Sequence, residues 1–145
     1  MSETQETIER RGQCLCGAVR ITAKATGHEV GACHCAMCRR WGSGPFMEID
    51  CGTQVSIDGE DHVTRYQSSD WAERAFCSQC GTNLFYRLKD ANQHMVAVDL
   101  FDDTDALPFK TEVFIDEKPA YYSFAEDTQK LTGAELFAMV QGNSG

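Results

Sequence analysis

The segment CSQCG, residues 77–81, carries two cysteines three positions apart and a glycine directly after them. A tight turn brings the two sulfur atoms of such a pair to one side, and glycine suits a turn exit that needs a positive φ. A closed zinc site takes four ligands, so this pair requires further ligands from elsewhere in the chain. The segment therefore predicts one half of a metal clamp.

Five of the other six cysteines also fall into short motifs. Residues 14–16 read Cys-Leu-Cys, and residues 33–38 read Cys-His-Cys-Ala-Met-Cys, whereas Cys51 stands alone. Side chains two residues apart in an extended chain point to the same face, so Cys14 and Cys16 can bind one metal together. Metal binding or thiol chemistry explains eight cysteines better than disulfides do, because we expect a cytoplasmic protein.

Two partitions of the clustered cysteines fit a four-sulfur site. In the one we favour, the four-cysteine cluster consists of Cys14, Cys16, Cys77 and Cys80. The remainder is then a three-cysteine cluster of Cys33, Cys35 and Cys38. The rival partition joins Cys35 and Cys38 to Cys77 and Cys80, and it leaves the first pair without a metal. We favour the former because it gives every clustered cysteine a metal, with a closed structural zinc and a second zinc of three protein ligands.

The residues around the three-cysteine cluster allow functional and structural interpretations. His34 lies between two cysteines of an alternating segment, so it is expected to face away from the metal as a core or supporting histidine. Arg39 or Arg40 would offset the charge of the thiolates or bind a substrate carboxylate, unless they are solvated surface cations. Core positions are predicted for Trp41 and Phe46, and Cys51 is interpreted as a small buried hydrophobe.

Composition and charge exclude several classes of protein. The 145 residues have a formal net charge of −9, which disfavours nucleic acid or an anionic membrane surface as the main partner. Residues 1–11 are polar and lack the apolar core of a signal peptide. No run of apolar residues approaches the length of a membrane span, so a cytoplasmic location is expected.

The patterning predicts a mainly β domain with little helix. Residues 1–11 are expected to form a flexible N-terminal tail, and residues 12–141 a single domain. Gly and Asp or Asn clusters separate short β-prone runs, which are Val19–Thr22, Val63–Tyr66, Leu84–Tyr86, Met95–Val98 and Val113–Ile115. Thr132 and Glu135 form a capping-box pattern before an apolar segment, which predicts a short C-terminal helix. A helical turn is also possible at residues 36–40.

Four segments together resemble the glutathione-dependent formaldehyde-activating enzyme family, whose domain also occurs in centromere protein V. The segments are Gly12–Val19, Cys33–Arg39, Phe76–Thr82 and Ile115–Tyr122. The resemblance runs from about Gly12 to Phe124, and the combination of segments is highly specific.

This resemblance implies a β-tent fold, with packed antiparallel sheets around zinc. It implies a structural zinc on the four-cysteine cluster and a second, catalytic zinc with an exposed position on the three-cysteine cluster. It also implies carbon–sulfur lyase chemistry, namely the condensation of formaldehyde with glutathione to S-hydroxymethylglutathione and its reversal. The expected partner is therefore a small-molecule thiol or thiol–aldehyde adduct.

The chemistry of three thiolates on zinc favours one role for the second metal. Three thiolates leave the site with one net negative charge, which makes the ion a poor Lewis acid and a plausible carrier of a substrate thiolate. Zinc deprotonates a bound thiol, whose free pKa is about 8.5. The alternative hypothesis is a non-catalytic, zinc-stabilised binding module, because a fold does not decide a function.

Overall fold

A computed structural model describes residues 7–25 and 27–143, in which the chain forms eleven strands and two α-helices. The strands are β1 (Ile8–Gln13), β2 (Arg20–Ala25), β3 (Val30–Cys33), β4 (Phe46–Gly52), β5 (Val55–Asp58), β6 (Val63–Gln67), β7 (Ala72–Cys77), β8 (Asn83–Leu88), β9 (Gln93–Ala97), β10 (Phe109–Val113) and β11 (Gln129–Leu131). The helices are α1 (Ala36–Gly42) and α2 (Gly133–Asn143). The predicted mainly β class with a short C-terminal helix is confirmed.

The chain divides into two compact units, each built from two separate segments. The first unit contains the described residues up to His28 together with Ile49–Ala106. The second contains Glu29–Glu48 and the described residues from Leu107 onward. The single domain expected for residues 12–141 stays a prediction.

The first unit contains a three-stranded antiparallel sheet in the order β1-β2-β5. Strand β2 alternates as a half-buried strand should, with Ile21, Ala23 and Ala25 almost fully buried. Residues 8–11, which the sequence places in a flexible tail, lie in β1 and pair with β2. The polar residues of β1 conceal its strand character, because the strand buries only Arg10. Residues 1–6 of that predicted tail lie outside the described part of the chain.

The first unit also contains the antiparallel strands β6 to β9, which pair in sequence order. One face of these strands carries the buried side chains of Phe85 and Val96, which are paired across β8 and β9. The same strands bury Glu73, whose carboxylate accepts hydrogen bonds from Arg65 at 2.7 Å and Arg87 at 2.9 Å. These two cations offset the cost of burying the charge.

The second unit combines antiparallel and parallel pairing. Strand β3 pairs antiparallel with the first residues of β4, whereas β10 pairs parallel with both β3 and β11. The parallel pairs are a departure from the expected antiparallel sheets. The pairing of β3 with β10 joins strands far apart in sequence, and the pattern of a single strand does not indicate the direction of its neighbour.

Both predicted helical segments are present. Thr132 and Glu135 form the reciprocal capping box, with the Glu135 amide donating to Thr132 Oγ1 at 3.1 Å and the Thr132 amide to Glu135 Oε1 at 2.8 Å. The predicted strand at Val113–Ile115 ends early, because Phe114 adopts a left-handed conformation with φ of 55°. A 3₁₀ turn over Ile115–Glu117 follows it. Among the described residues, no helix has the length and apolar character to cross a membrane.

We expect Gly12→Ala to lower the free energy of unfolding by about 2–3 kcal/mol, the cost of overpacking. A Cβ at Gly12 would lie 2.1 Å from the carbonyl oxygen of Leu100, a backbone atom that cannot move aside without shifting the chain. Urea unfolding of the purified protein measures the change. Gly31→Ala is the control, since its Cβ would lie 3.7 Å from the nearest atom. Equal unfolding midpoints for the two variants would contradict the argument.

We expect Glu73→Gln to destabilise the protein by about 2 kcal/mol at pH 7 and by less in acid. Burial opposes the ionisation of Glu73, but Arg87 and Arg65 outweigh it and lower the pKa of the carboxyl group. A lowered folded-state pKa stabilises the fold above the unfolded pKa, and this stability is lost as pH falls through the folded pKa. Unfolding free energies measured between pH 7 and pH 3 should therefore converge for wild type and variant.

The matched control for Glu73→Gln is Glu60→Gln. Glu60 also pairs with Arg65, at 3.2 Å, but its side chain is 58% exposed. An exposed ion pair contributes little, so this substitution should leave the acid dependence unchanged. A constant difference between wild type and Glu73→Gln across the pH range would show that the carboxylate charge is not the stabilising feature.

Candidate metal centres

The structure brings together the four cysteines of the favoured partition. Cys14 and Cys16 lie in the loop after β1, Cys77 ends β7, and Cys80 lies in the turn before β8. Their four sulfur atoms are all within 4.8 Å of one another. Cys35 and Cys38, which the rival partition joins to this turn, belong to the second unit.

The spacing of these sulfur atoms fits a tetrahedral zinc. The sulfur of Cys16 lies 3.7 Å from that of Cys14 and 3.8 Å from that of Cys77. Zinc–sulfur bonds of about 2.3 Å place two thiolates of a tetrahedron about 3.8 Å apart. No cysteine in residues 7–25 and 27–143 forms a disulfide, so all four sulfurs are available as ligands.

The two loops of the four-cysteine cluster have the same turn at their ends. Gly17 and Gly81 have φ values of 82° and 79°, and each donates its amide to the carbonyl of the first cysteine in its loop. Glycine adopts this left-handed conformation without the steric cost that a Cβ brings. The hydroxyl of Thr82 connects the loops, since it accepts the Leu15 amide at 3.1 Å and lies 3.1 Å from the Cys80 sulfur.

The cysteines of this cluster differ strongly in the pKa of their thiols. The Thr82 hydroxyl stabilises the thiolate of Cys80 and lowers its pKa to about 5. The backbone of Ala18 favours the Cys16 thiolate, but burial and the neighbouring sulfurs outweigh it and raise the pKa of Cys16 to about 11. Ionisation of all four thiols is therefore opposed here, and a bound divalent metal would supply the charge that offsets it.

The three-cysteine cluster forms where β3 meets α1. Cys33 is the last residue of β3, Cys35 caps the N-terminus of α1, and Cys38 is buried in the first turn of that helix. Their sulfur atoms lie within 4.8 Å of one another. The sulfurs of Cys35 and Cys38 strongly raise the pKa of the Cys33 thiol, so this cluster also needs a cation to ionise fully.

Two local hydrogen bonds and one to a later segment fix the loop that carries this cluster. The Cys38 amide donates to the Cys35 sulfur at 3.3 Å, and the Ala36 amide donates to Glu117 Oε1 at 2.8 Å. Arg39 donates its Nε to the carbonyl oxygen of His34 at 2.9 Å. This arginine therefore braces the loop, in addition to either role expected from the sequence.

His34 faces away from the cysteines, as the alternation predicts. Its ring is fully buried and lies 2.8 Å through Nε2 from Glu112 Oε1 and 2.8 Å through Nδ1 from the Tyr122 hydroxyl. The histidine is therefore a supporting residue beside the cluster and is absent from its set of sulfur ligands.

The remaining candidates take structural positions. Phe46 is buried and its ring lies 5.3 Å from that of Trp41, whereas Arg40 is exposed. Cys51 is fully buried, and burial raises the pKa of its thiol to about 12, so it is an inert core residue as expected.

Four residues beside the two clusters cannot be identified from the cysteine motifs alone. They are Thr82, Glu112, Glu117 and Tyr122. Thr82 follows the CxxC-Gly turn directly, so the motif itself offered a signal. The other three lie about 80 residues from their partners, and a linear pattern gives no indication of these contacts.

The comparisons with known proteins agree with this geometry. Residues 9–117 match the model of the family described as glutathione-dependent formaldehyde-activating enzyme. The chain is 35% identical over 133 residues to a Schizosaccharomyces pombe protein named as an uncharacterized lyase, covering 91% of this chain and 97% of the relative. A crystal structure of a Rhodobacter sphaeroides protein superposes with a TM-score of 0.57 over 69% of this chain and 99% of its own, at 23% identity. That last likeness concerns the fold alone.

The family match covers most of the chain and includes all seven clustered cysteines, and the similarity to the yeast protein extends over nearly its whole length. The chain therefore belongs to the glutathione-dependent formaldehyde-activating enzyme family.

Proposed function

We propose that the protein makes and breaks the carbon–sulfur bond of thiol–aldehyde adducts of the S-hydroxymethylglutathione type. The observation that carries the proposal is a cluster of three sulfur atoms. Within the described residues, no fourth histidine, cysteine or carboxylate joins Cys33, Cys35 and Cys38 at metal-binding distance. Three protein ligands and one exchangeable position are typical of catalytic zinc sites. Membership of the family and a relative named as a lyase support the same chemistry.

We assign a structural zinc to the four-cysteine cluster. Its sulfur spacing fits a closed tetrahedron, and its ligands come from two loops more than 60 residues apart in the chain. A metal held in this way stabilises the fold, because the unfolded chain has no preformed site.

We propose that the three-cysteine cluster binds the substrate. Zinc bound there would supply positive charge and an exchangeable position, which stabilise a substrate sulfur as a thiolate. Cys33, Cys35 and Cys38 would hold this ion, and the hydrogen bonds around α1 fix their positions. The Nε of Arg39 is engaged with the His34 carbonyl, so we place a substrate carboxylate on the two terminal nitrogens of that guanidinium.

The reaction balances without a further cofactor. In cleavage, the hydroxyl group of the adduct loses its proton, its oxygen forms the carbonyl double bond, and the electrons of the carbon–sulfur bond leave with the sulfur. In condensation, the thiolate attacks the aldehyde carbon and the oxygen gains a proton.

We expect Cys77→Ser to abolish cooperative folding or to lower the melting temperature sharply, with loss of about one zinc per chain. The structural metal then loses a ligand, and its binding free energy is part of the folding free energy. Thermal unfolding and metal analysis measure both effects. Cys51→Ala, at a buried cysteine outside either cluster, should retain the zinc content of wild type. A Cys77→Ser protein that melted at the wild-type temperature would count heavily against the structural assignment.

We expect Cys35→Ser to abolish thiol uptake and catalysis while it preserves the fold. In the cobalt-substituted wild type, added glutathione should change the sulfur-to-cobalt charge-transfer bands, because a further thiolate enters the three-cysteine site. In Cys35→Ser this change should disappear, and only the bands of the four-cysteine site should persist. Label exchange between formaldehyde and S-hydroxymethylglutathione should exceed the uncatalysed rate in the zinc-loaded wild type and in Cys51→Ala, but not in Cys35→Ser.

Two results would revise the proposal. Spectral changes without faster exchange would mean that the site binds thiols but acts on a different adduct. A cobalt spectrum that does not change on addition of any thiol would favour the non-catalytic binding module.

A further inference from the structure

A cavity of about 470 Å³ lies along one edge of strand β1, and all the residues that line it belong to the first unit. Residues 8–11 line one side of the cavity, and residues 101–103 line the other. Strand β1 pairs with β2 along its whole length, whereas on its other side, in the described part of the chain, it is bridged only from Gly12 to Phe101. Beyond that bridge the two segments separate, and the space between them has the usual volume of a small-molecule site.

Arg10 is a buried cation without a protein partner in the described part of the chain. This residue lines the cavity, it is only 9% exposed, and its Nε has no hydrogen-bond partner. None of the ion pairs between described residues includes Arg10, although the adjacent Arg11 pairs with Glu9 at 2.5 Å. A charge that is taken out of water without a partner destabilises the fold. A negatively charged group of a ligand in the cavity would remove this cost.

Two carboxylates line the same cavity. Asp102 and Asp103 are exposed, and neither forms an ion pair with a described residue. Since Glu9 and Arg11 pair with each other, the cavity has one buried positive charge, on Arg10, and two exposed negative charges. A simple anion would be attracted by the first and repelled by the others. A ligand with a carboxylate at one end and an ammonium group at the other complements both.

The edge of β1 adds backbone hydrogen-bonding groups to these charges. An edge strand presents unpaired amides and carbonyls on its open side. An extended peptide can add to such an edge through main-chain hydrogen bonds. The cavity also has apolar surface, since Ile8, which is 46% exposed, and Phe101 are among its lining residues. The backbone edge and the separated charges together fit a peptide better than they fit an inorganic ion.

We propose that this cavity binds a short peptide with free termini, of about dipeptide size, along the edge of β1. The terminal carboxylate of the peptide pairs with Arg10, its ammonium group pairs with Asp102 or Asp103, and its peptide group hydrogen-bonds to the strand. The inference does not rest on the proposed lyase function, because none of these residues belongs to either cysteine cluster.

The test uses three compounds that differ only at their ends. Alanylalanine has both charges, alanylalanine amide lacks the carboxylate, and N-acetylalanylalanine lacks the ammonium group. Titration of the purified, nitrogen-15-labelled protein with alanylalanine should give saturable NMR shifts of the backbone amides of residues 8–12 and 101–103. The amide should bind about tenfold more weakly, because the guanidinium then lacks its charged partner. The acetylated compound should bind about threefold more weakly, because exposed carboxylates contribute less.

Variants test the charged residues directly. Arg10→Met keeps an apolar side chain of similar length but removes the charge, so binding of alanylalanine should be lost. The urea midpoint of this variant should equal or exceed that of wild type, because an unpaired buried charge is removed. Arg20→Met, at an exposed arginine of β2 outside the cavity, is the matched control and should bind as wild type does. Combining Asp102→Asn with Asp103→Asn should give alanylalanine and its acetylated form equal affinities.

Several outcomes would overturn the inference. The comparison of compounds requires only wild type, and either the absence of saturable shifts or equal affinity for alanylalanine and its amide would contradict it. Inorganic phosphate that bound as tightly as alanylalanine would make the cavity a general anion site. A clear fall in the urea midpoint of Arg10→Met, or its failure to fold, would show that Arg10 serves the fold and does not await a ligand.

Discussion

The mutual repulsion of clustered thiolates is the constraint on which the rest of this structure depends. Seven sulfur atoms occupy two small volumes, each with all its sulfurs within 4.8 Å of one another. The neighbouring sulfurs of Cys35 and Cys38 raise the pKa of Cys33, which expresses the cost of ionising such neighbours. A divalent cation bound by either cluster would remove that cost, so metal binding and the arrangement of the loops would stabilise each other. The sheets supply rigid strand ends, from which short loops can hold the sulfurs at this separation.

The two clusters hold their sulfur atoms together by different local structures. In the first unit, two glycine turns and the Thr82 hydroxyl hold two loops that are distant in sequence. In the second unit, one strand end and one helical turn supply all three sulfurs, and side chains from a later segment brace them. A cluster drawn from distant loops restrains the fold, whereas a cluster drawn from one local segment contributes less to it. This difference is a physical reason to propose a structural role for the four-cysteine cluster and a substrate-binding role for the three-cysteine cluster.

A single strained turn organises the helices of the second unit. Phe114 has a left-handed backbone, which is costly for a bulky residue, and its ring lies where a Cβ at position 133 would approach to 2.6 Å. The turn that follows carries Asp116, which accepts the amide of Gly133, and Glu117, which accepts the amide of Ala36. The strained backbone at Phe114 therefore lies beside the residues that cap α2 and α1. The hydrogen bond at the start of α1 adjoins the three-cysteine cluster.

The sequence by itself determined the features that depend on local spacing. The cysteine motifs predicted the two groups of sulfurs that lie close together in the structure, the alternation at residues 33–35 predicted that His34 faces away, and the capping box predicted the start of α2. Each of these follows from the geometry of a few consecutive residues. The same local reading found five strand segments but extended one of them past Val113, where the strained turn overrides the β propensity.

Only the tertiary structure decided the features that depend on pairing between distant segments. The strand β1 was hidden because its polar residues bury one arginine, and the parallel pairing of β10 is set by its neighbours. The hydrogen bonds of His34 to Glu112 and Tyr122 join positions nearly 80 and 88 residues apart. No periodicity in the chain encodes such contacts, because they arise from the packing of separate strands. The cysteine spacing thus indicated the candidate ligands, whereas the tertiary structure decided which groups surround them.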